Sequence, residues 1–168
     1  MLHTAVLVVF PALMAYAAAS DIVTMTIPNW LSLALVAAFP LLAFAVGLPG
    51  TAILLHLLTG CTVLAITFGM FALGWIGGGD AKLAAAAALW LGFDLLLEYF
   101  VLASIAGGML TVAVLCLRRL HLPLFALTWT WLGRLHDERS GVPYGVALAA
   151  AALSVYPRSP VWMALAGA

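Results

Sequence analysis

Asp21 and Asp80 stand out because the chain carries so little charge: only 7% of its 168 residues are Asp, Glu, Lys or Arg. Asp21 closes an apolar stretch and is followed by "IVTMTIPNW"; Asp80 stands behind Gly77, Gly78 and Gly79 in "GWIGGGDAKL". A carboxylate near the hydrocarbon boundary is costly and is a functional candidate by default. Two such groups held close cannot both ionise easily, so one keeps its proton. The ionised acid can then draw a proton from water while its protonated partner polarises a carbonyl, the arrangement of an aspartic protease. Such a pair titrates as a unit. Glycines reach positive φ and let another backbone approach, which an extended peptide beside the acids requires. A plainer role stays open for each acid, since Asp commonly caps helices.

The elements that must position these acids are membrane helices. The chain is 67% hydrophobic with a mean hydropathy of +1.23, against roughly half apolar in soluble domains. So few charges cannot coat a water-soluble body, and the fold class is an all-α polytopic membrane protein, one integral domain over residues 1–168. About 20 apolar residues cross the hydrocarbon core, and helices satisfy their own backbone there. Six spans are predicted: Leu2 to Ser20, Trp30 to Leu48, Thr51 to Phe71, Ala81 to Asp94 or Glu98, Tyr99 to Leu117, and Val142 into the 160s. The first lacks the basic start of a signal peptide and reads as a retained span. The stretch from Arg118 to Gly141 mixes arginines with Trp129, Trp131 and leucines, is interrupted by Pro123, and reads as an interfacial segment.

Counting crossings brings the acids together. Asp21 ends the first span and Asp80 begins the fourth, with an even number of crossings between them, so both emerge on one face. The breaks on that face hold Lys82, Arg118, Arg119, Arg134 and Arg139, five of the six basic residues. By the positive-inside rule that face is cytoplasmic and both termini lie outside. Helices packed at 8–10 Å can then bring the two carboxyls to one water.

Other polar residues carry weaker signals. Asp94 and Glu98 are i,i+4 on a helix and read as an outer edge. The four histidines show no ligand spacing, and His56 reads as a satisfied core residue. Cys61 and Cys116 sit in apolar runs, fit neither a disulfide framework nor a zinc site, and read as small buried hydrophobes. No metal and no cofactor is expected. "GGGDAK" lacks the phosphate-loop pattern, and a net charge of zero offers no basic face for nucleic acid. "AKLAAAAAL" offers small residues for close helix approach, either to a substrate helix or to the protein's own spans.

Three blocks carry a family resemblance. "SDIVTMTIPNWLSL" resembles the first catalytic block of the type IV prepilin peptidases, an Asp followed by Ile-Pro-Asn; "GGGDAKL" resembles their G-x-G-D block with its lysine; "VPYGVAL" is similar to the Pro-Tyr-Gly segment opening their last span. The resemblance implies a catalytic pair at Asp21 and Asp80 and signature glycines at Gly77 and Gly79, with Gly78 between them. It gives supporting places to Pro28, Asn29, Lys82, Pro143, Tyr144 and Gly145. It implies an endopeptidase of the bacterial inner membrane that cuts the leader from prepilins at the cytoplasmic face, before the mature hydrophobic helix. The partners it implies are prepilins, the lipid bilayer and pilus-assembly machinery. The Cys-x-x-Cys block that long members link to N-methylation does not occur in this sequence. The chain therefore resembles the short tight-adherence (Flp) branch, for which methyltransferase activity is not expected.

Rival readings stay open: a G-x-G-D peptidase for a preflagellin or another leader, a small proton- or cation-coupled transporter, or a non-catalytic assembly factor. Transporter sites tend to lie near the midplane on broken helices, whereas these acids are predicted at span ends. The topology is directly testable. A reporter fused after Arg139 is expected to signal cytoplasm and one after Ala168 the outside; signals from one side would remove the crossing argument.

Overall fold

The computed structural model describes residues 2–120, 123 and 128–166, and all regular structure among them is helical. In chain order the helices are α1 (Leu2–Thr24), α2 (Asn29–Ala45), α3 (Gly50–Ala72), α4 (Gly78–Leu91), α5 (Phe93–Arg119), α6 (Thr130–His136) and α7 (Tyr144–Val155). A 3-10 turn (Tyr156–Arg158) and α8 (Pro160–Ala166) follow. Leu7–Thr24 of α1, all of α3 and all of α5 are long and apolar enough to cross a bilayer, and α2 is a shorter apolar helix of 17 residues. The molecule is an all-α, polytopic membrane protein.

Helix α4 is the axis of the bundle. It packs against α2, α3, α5 and α7, and α1 closes the structure between α2 and α7. Ala81 and every residue from Leu83 to Leu91 are buried. The alanines of "AKLAAAAAL" thus pack the protein's own helices, and their small side chains permit that close approach. Two side chains tie the lower half of α4 to its neighbours. Trp90 Nε1 donates to the Leu35 carbonyl of α2 at 3.0 Å. His56 Nδ1 of α3 donates to the Leu89 carbonyl at 2.8 Å, a last-turn carbonyl with no partner inside α4. His56 is buried and stacked on Phe39, as a satisfied core histidine. Around Trp90, Phe10 and Tyr156 complete an aromatic cluster, their own ring centroids 4.3 Å apart.

Several predicted boundaries need correction. The fourth segment does not run to Asp94 or Glu98: α4 has 14 residues and stops at Leu91. At 1.5 Å per residue that is about 21 Å, short of a hydrocarbon core of about 30 Å. Asp94 and Glu98 belong to α5, which starts at Phe93 rather than Tyr99. The break is Gly92, whose φ of 77° and ψ of 172° lie in a region open essentially to glycine alone. Asp94 is exposed, and Glu98 pairs with Arg158 at the far end of the bundle.

The last segment is likewise broken. Tyr144–Val155 is followed by the Pro157-containing turn and then a separate helix. α1 runs past Ser20 to Thr24, so Asp21 lies inside its final turns. Both cysteines are exposed on outward faces of α3 and α5 rather than buried. Apolar surface faces outward here as well as inward, so an apolar run cannot tell a lipid-facing position from a core one.

Part of the expected interfacial segment, residues 121–122 and 124–127, lies outside the described residues. The rest does not cross the bundle. α6 is short, Trp129 stacks with Trp131 at 6.2 Å, and Arg134 Nη1 donates to the Val23 carbonyl at 2.9 Å. Arg118 holds the return to α7, donating to the carbonyls of Leu135, Ser140 and Gly141 at 2.9, 2.7 and 3.0 Å.

Gly92→Ala tests the break. An added Cβ meets the His56 ring at 2.9 Å besides forcing φ, and such strain costs about 1–3 kcal/mol. Thermal unfolding in detergent should show a clear drop in midpoint, while Gly108→Ala, with open space around it, should not.

Candidate active site

One end of the bundle collects the C-terminal turns of α1, α3 and α5 and the first turns of α2, α4 and α7. Asp21 is buried there, and the backbone N–H of Gly145, at the start of α7, donates to its Oδ2 at 2.7 Å. This bond joins residues at opposite ends of the sequence. It needs a glycine: a Cβ at position 145 would lie 2.8 Å from Asp21 Oδ2 and 2.8 Å from Ile27 Cδ1. Pro143 caps α7 in a non-helical conformation and is itself buried, which sets the angle at which Gly145 meets Asp21.

The turn after Asp21 is held by its own side chains. Met25 takes the left-handed conformation at φ 55°, and its N–H returns to the Asp21 carbonyl at 2.9 Å, a helix-ending αL motif. Ser20 Oγ donates to the Thr26 carbonyl at 2.9 Å, and Thr24 Oγ1 to the Ser20 carbonyl at 2.8 Å. Pro28 then opens α2 in an extended conformation. The Ile27 side chain sits between the two acidic segments, touching Gly79 on one side and Gly145 on the other.

Asp80 lies in the first turn of α4, half-buried, with its carboxylate folded back over Gly77. The Asp21 charge is close enough to act on it. Gly77 is the N-cap residue of α4, and the Asp80 carboxylate reaches back to its backbone N–H, so Asp80 also caps the start of its helix; Asp21, which lies within α1, caps none. Asp80 also lines an open cavity of about 980 Å³ between α3, α4, α5 and α7. Trp75, Ile76, Gly77, Val142 and Tyr144 line it near the acid, and Phe100 and Leu148 line it deeper. A cleft with apolar walls and a carboxylate at its edge suits an apolar peptide with a polar scissile group.

The three glycines divide their tasks. Gly77 faces the cavity, Gly78 faces the Phe71 ring, and Gly79 faces Ile27, whose backbone N would be 3.6 Å from an added Cβ. None of them uses positive φ; in this loop Gly74 does. Close approach of another backbone at Gly79 is therefore real, and the backbone is the protein's own α1–α2 turn.

The other expected residues fall on both sides of α4. Lys82 Nζ donates to Asn29 Oδ1 at 2.8 Å on the face away from the cavity. The Tyr144 hydroxyl bonds Thr111 Oγ1 at 3.1 Å, with its ring lying over Gly107 of α5. Sequence reasoning missed Ile27, Arg118 and Thr67. Thr67 Oγ1 reaches the Ala81 carbonyl at 3.2 Å and so braces the turn that carries Asp80. An arginine closing an apolar helix was the available signal for Arg118; Ile27 stands in the quoted Ile-Pro-Asn block but was given no role, and Thr67 gave no signal. Among the described residues no three of His, Cys, Asp and Glu gather around a point that could hold a metal ion.

Fold and site together define a helical membrane protein with two acids at one end of its bundle, one of them on an apolar cleft. A family model described as the type IV leader peptidase family matches residues 8–112, a stretch holding both acids, and the chain belongs to that family. Searches of curated proteins and of solved structures return no match. The protein is therefore a peptidase of the leader-peptidase kind, built into a membrane.

Gly145→Ala is the sharpest probe of this geometry. If Asp21 reacts, as the sequence blocks lead one to expect, misplacing it by about 1 Å can cost about 10²-fold in rate, and leader cleavage should fall by that order while the variant stays folded. Initial rates on a prepilin in detergent, beside a melting curve, give both readings; a wild-type rate would show that Gly145 does not position Asp21 for the reaction.

Proposed function

We propose that this protein is an aspartic endopeptidase that removes the leader from type IV prepilins of the tight-adherence (Flp) kind at the cytoplasmic face of the bacterial inner membrane. Asp21 and Asp80 are its catalytic pair. One carboxylate takes a proton from water, and the water oxygen attacks the scissile carbonyl carbon. The partner acid gives its proton to the carbonyl oxygen. The tetrahedral intermediate then collapses with cleavage of the C–N bond, and the leaving amine takes up a proton.

One observation carries the reading. The two acids, on α1 and α4, meet at one end of the bundle within electrostatic reach, where Asp80 borders a cleft open to a peptide. In this reading a segment of the prepilin enters along Trp75, Ile76 and Tyr144, and Gly77 keeps the wall beside Asp80 low. The cytoplasmic assignment rests on charge: Lys82, Arg118 and Arg134 bond to groups at the same end of the bundle as Asp21, and Arg158 lies at the other with Glu98. A basic excess favours the cytoplasmic side. The Flp assignment carries the sequence expectation forward: the three blocks resemble the prepilin peptidases, and no Cys-x-x-Cys motif occurs in these 168 residues.

Asp21→Asn and Asp80→Asn should each reduce prepilin cleavage to near background, since general acid–base catalysis alone is worth about 10²–10⁴-fold. The double variant should be little worse than either single one, because the two groups act as a unit. Asp94→Asn, on the outer edge of α5, should keep most of the activity. The readout is initial cleavage rate with a melting check of each variant; a folded Asp21→Asn enzyme at wild-type rate would end the two-acid mechanism.

A further inference from the structure

Helix α4 separates two hollows, and only one of them holds Asp80. On its other face, α2 and α3 both pack on α4 but scarcely touch each other, which leaves an open groove of about 980 Å³. Its walls are apolar for most of their length, with Leu33, Val36, Leu57 and Leu64 among them. One end differs. There the first turns of α2 and α4 contribute Asn29, Ser32 and Lys82. Among the described residues the exposed Lys82 ammonium bonds the neutral amide oxygen of Asn29 and no carboxylate. Ser32 is 7% exposed, and no acceptor or donor within the described residues engages its hydroxyl.

The geometry points to a binding site for a single anionic phospholipid, with its phosphate at Lys82, Asn29 and Ser32 and its acyl chains along the groove toward Leu57 and Leu89. Charge and donor count choose the headgroup. An ammonium, the remaining amide N–H donors of Asn29 and a free hydroxyl form a donor cluster without a negative charge of its own. Lysine serves phosphate as a point charge, and basic pockets between membrane helices on the cytoplasmic side suit anionic headgroups.

From Leu57 to Phe68 the groove follows α3 for about 17 Å, roughly the depth that the acyl chains of one leaflet span in a hydrocarbon core of about 30 Å. This site lies across α4 from the cleft and does not depend on which peptide is cut.

The test is native mass spectrometry of the full chain in detergent, titrated with dioleoylphosphatidylglycerol or dioleoylphosphatidylcholine. One phosphatidylglycerol should be retained about fivefold more tightly than phosphatidylcholine, the scale of one basic residue acting on an anionic lipid. Lys82→Gln should abolish that preference and Lys82→Arg should keep it. Leu64→Trp, an outward-facing change that fills the groove and leaves Lys82 in place, should weaken retention of both lipids. Equal retention of the two lipids by the wild type, or an undiminished preference in Lys82→Gln, would overturn the site. So would retention of neither lipid together with crosslinking of a prepilin helix to Cys61, which lines the groove.

Discussion

The structure is organised around the cost of keeping polar groups at the edge of hydrocarbon. A carboxylate or an unpaired carbonyl there has little water to turn to, so each must be met by the protein itself. Asp21 is met by the N–H of Gly145, Leu89 by the His56 ring, and the α6–α7 return by the three-carbonyl grip of Arg118. These bonds join α1 to α7, α3 to α4, and α5 to the α6–α7 return. Apolar contact cannot align helices so sharply in lipid, because lipid tails are as apolar as leucine. The polar bonds therefore set the angles and heights at which the helices meet.

The shortness of α4 follows from the same constraint. A 14-residue helix would leave at least one end inside the hydrocarbon if it faced lipid. Surrounded by other helices, it can end early and leave room at its N-terminus for a cleft. The glycines before it allow the α1–α2 turn to close down at Gly79 and the cavity to open at Gly77. The run of buried alanines that follows lets four helices crowd its sides, which is how an acid on α4 comes into range of an acid on α1. Site and packing are thus one arrangement, and Ile27, wedged between Gly79 and Gly145, belongs to both.

Membership of the type IV leader peptidase family gives the cleft its meaning. The matched stretch holds both acids and ends before α7, yet the bond that fixes Asp21 comes from α7. The "VPYG" segment therefore contributes through its backbone, and its tyrosine anchors the segment to α5 through Thr111. A backbone donor leaves no side-chain mark in a sequence beyond the absence of a Cβ, so only the resemblance of its block gave Gly145 a place, and the bond to Asp21 came from the structure.

Hydropathy alone determined that this is an all-helical membrane protein, and low overall charge made Asp21 and Asp80 conspicuous. Crossing parity also gave, from the sequence, the meeting of the two acids at one end, because helix direction alternates whatever the packing. Tertiary structure decided the rest. Where α4 stops depends on the φ of Gly92 and on the His56 ring beside it, and apolar periodicity cannot register either. That Glu98 finds Arg158, that the cysteines face outward, and that Gly79 meets Ile27 depend on which helix faces are neighbours. In a chain apolar on every side, the sequence marks core and lipid faces alike, and only three-dimensional contact tells them apart.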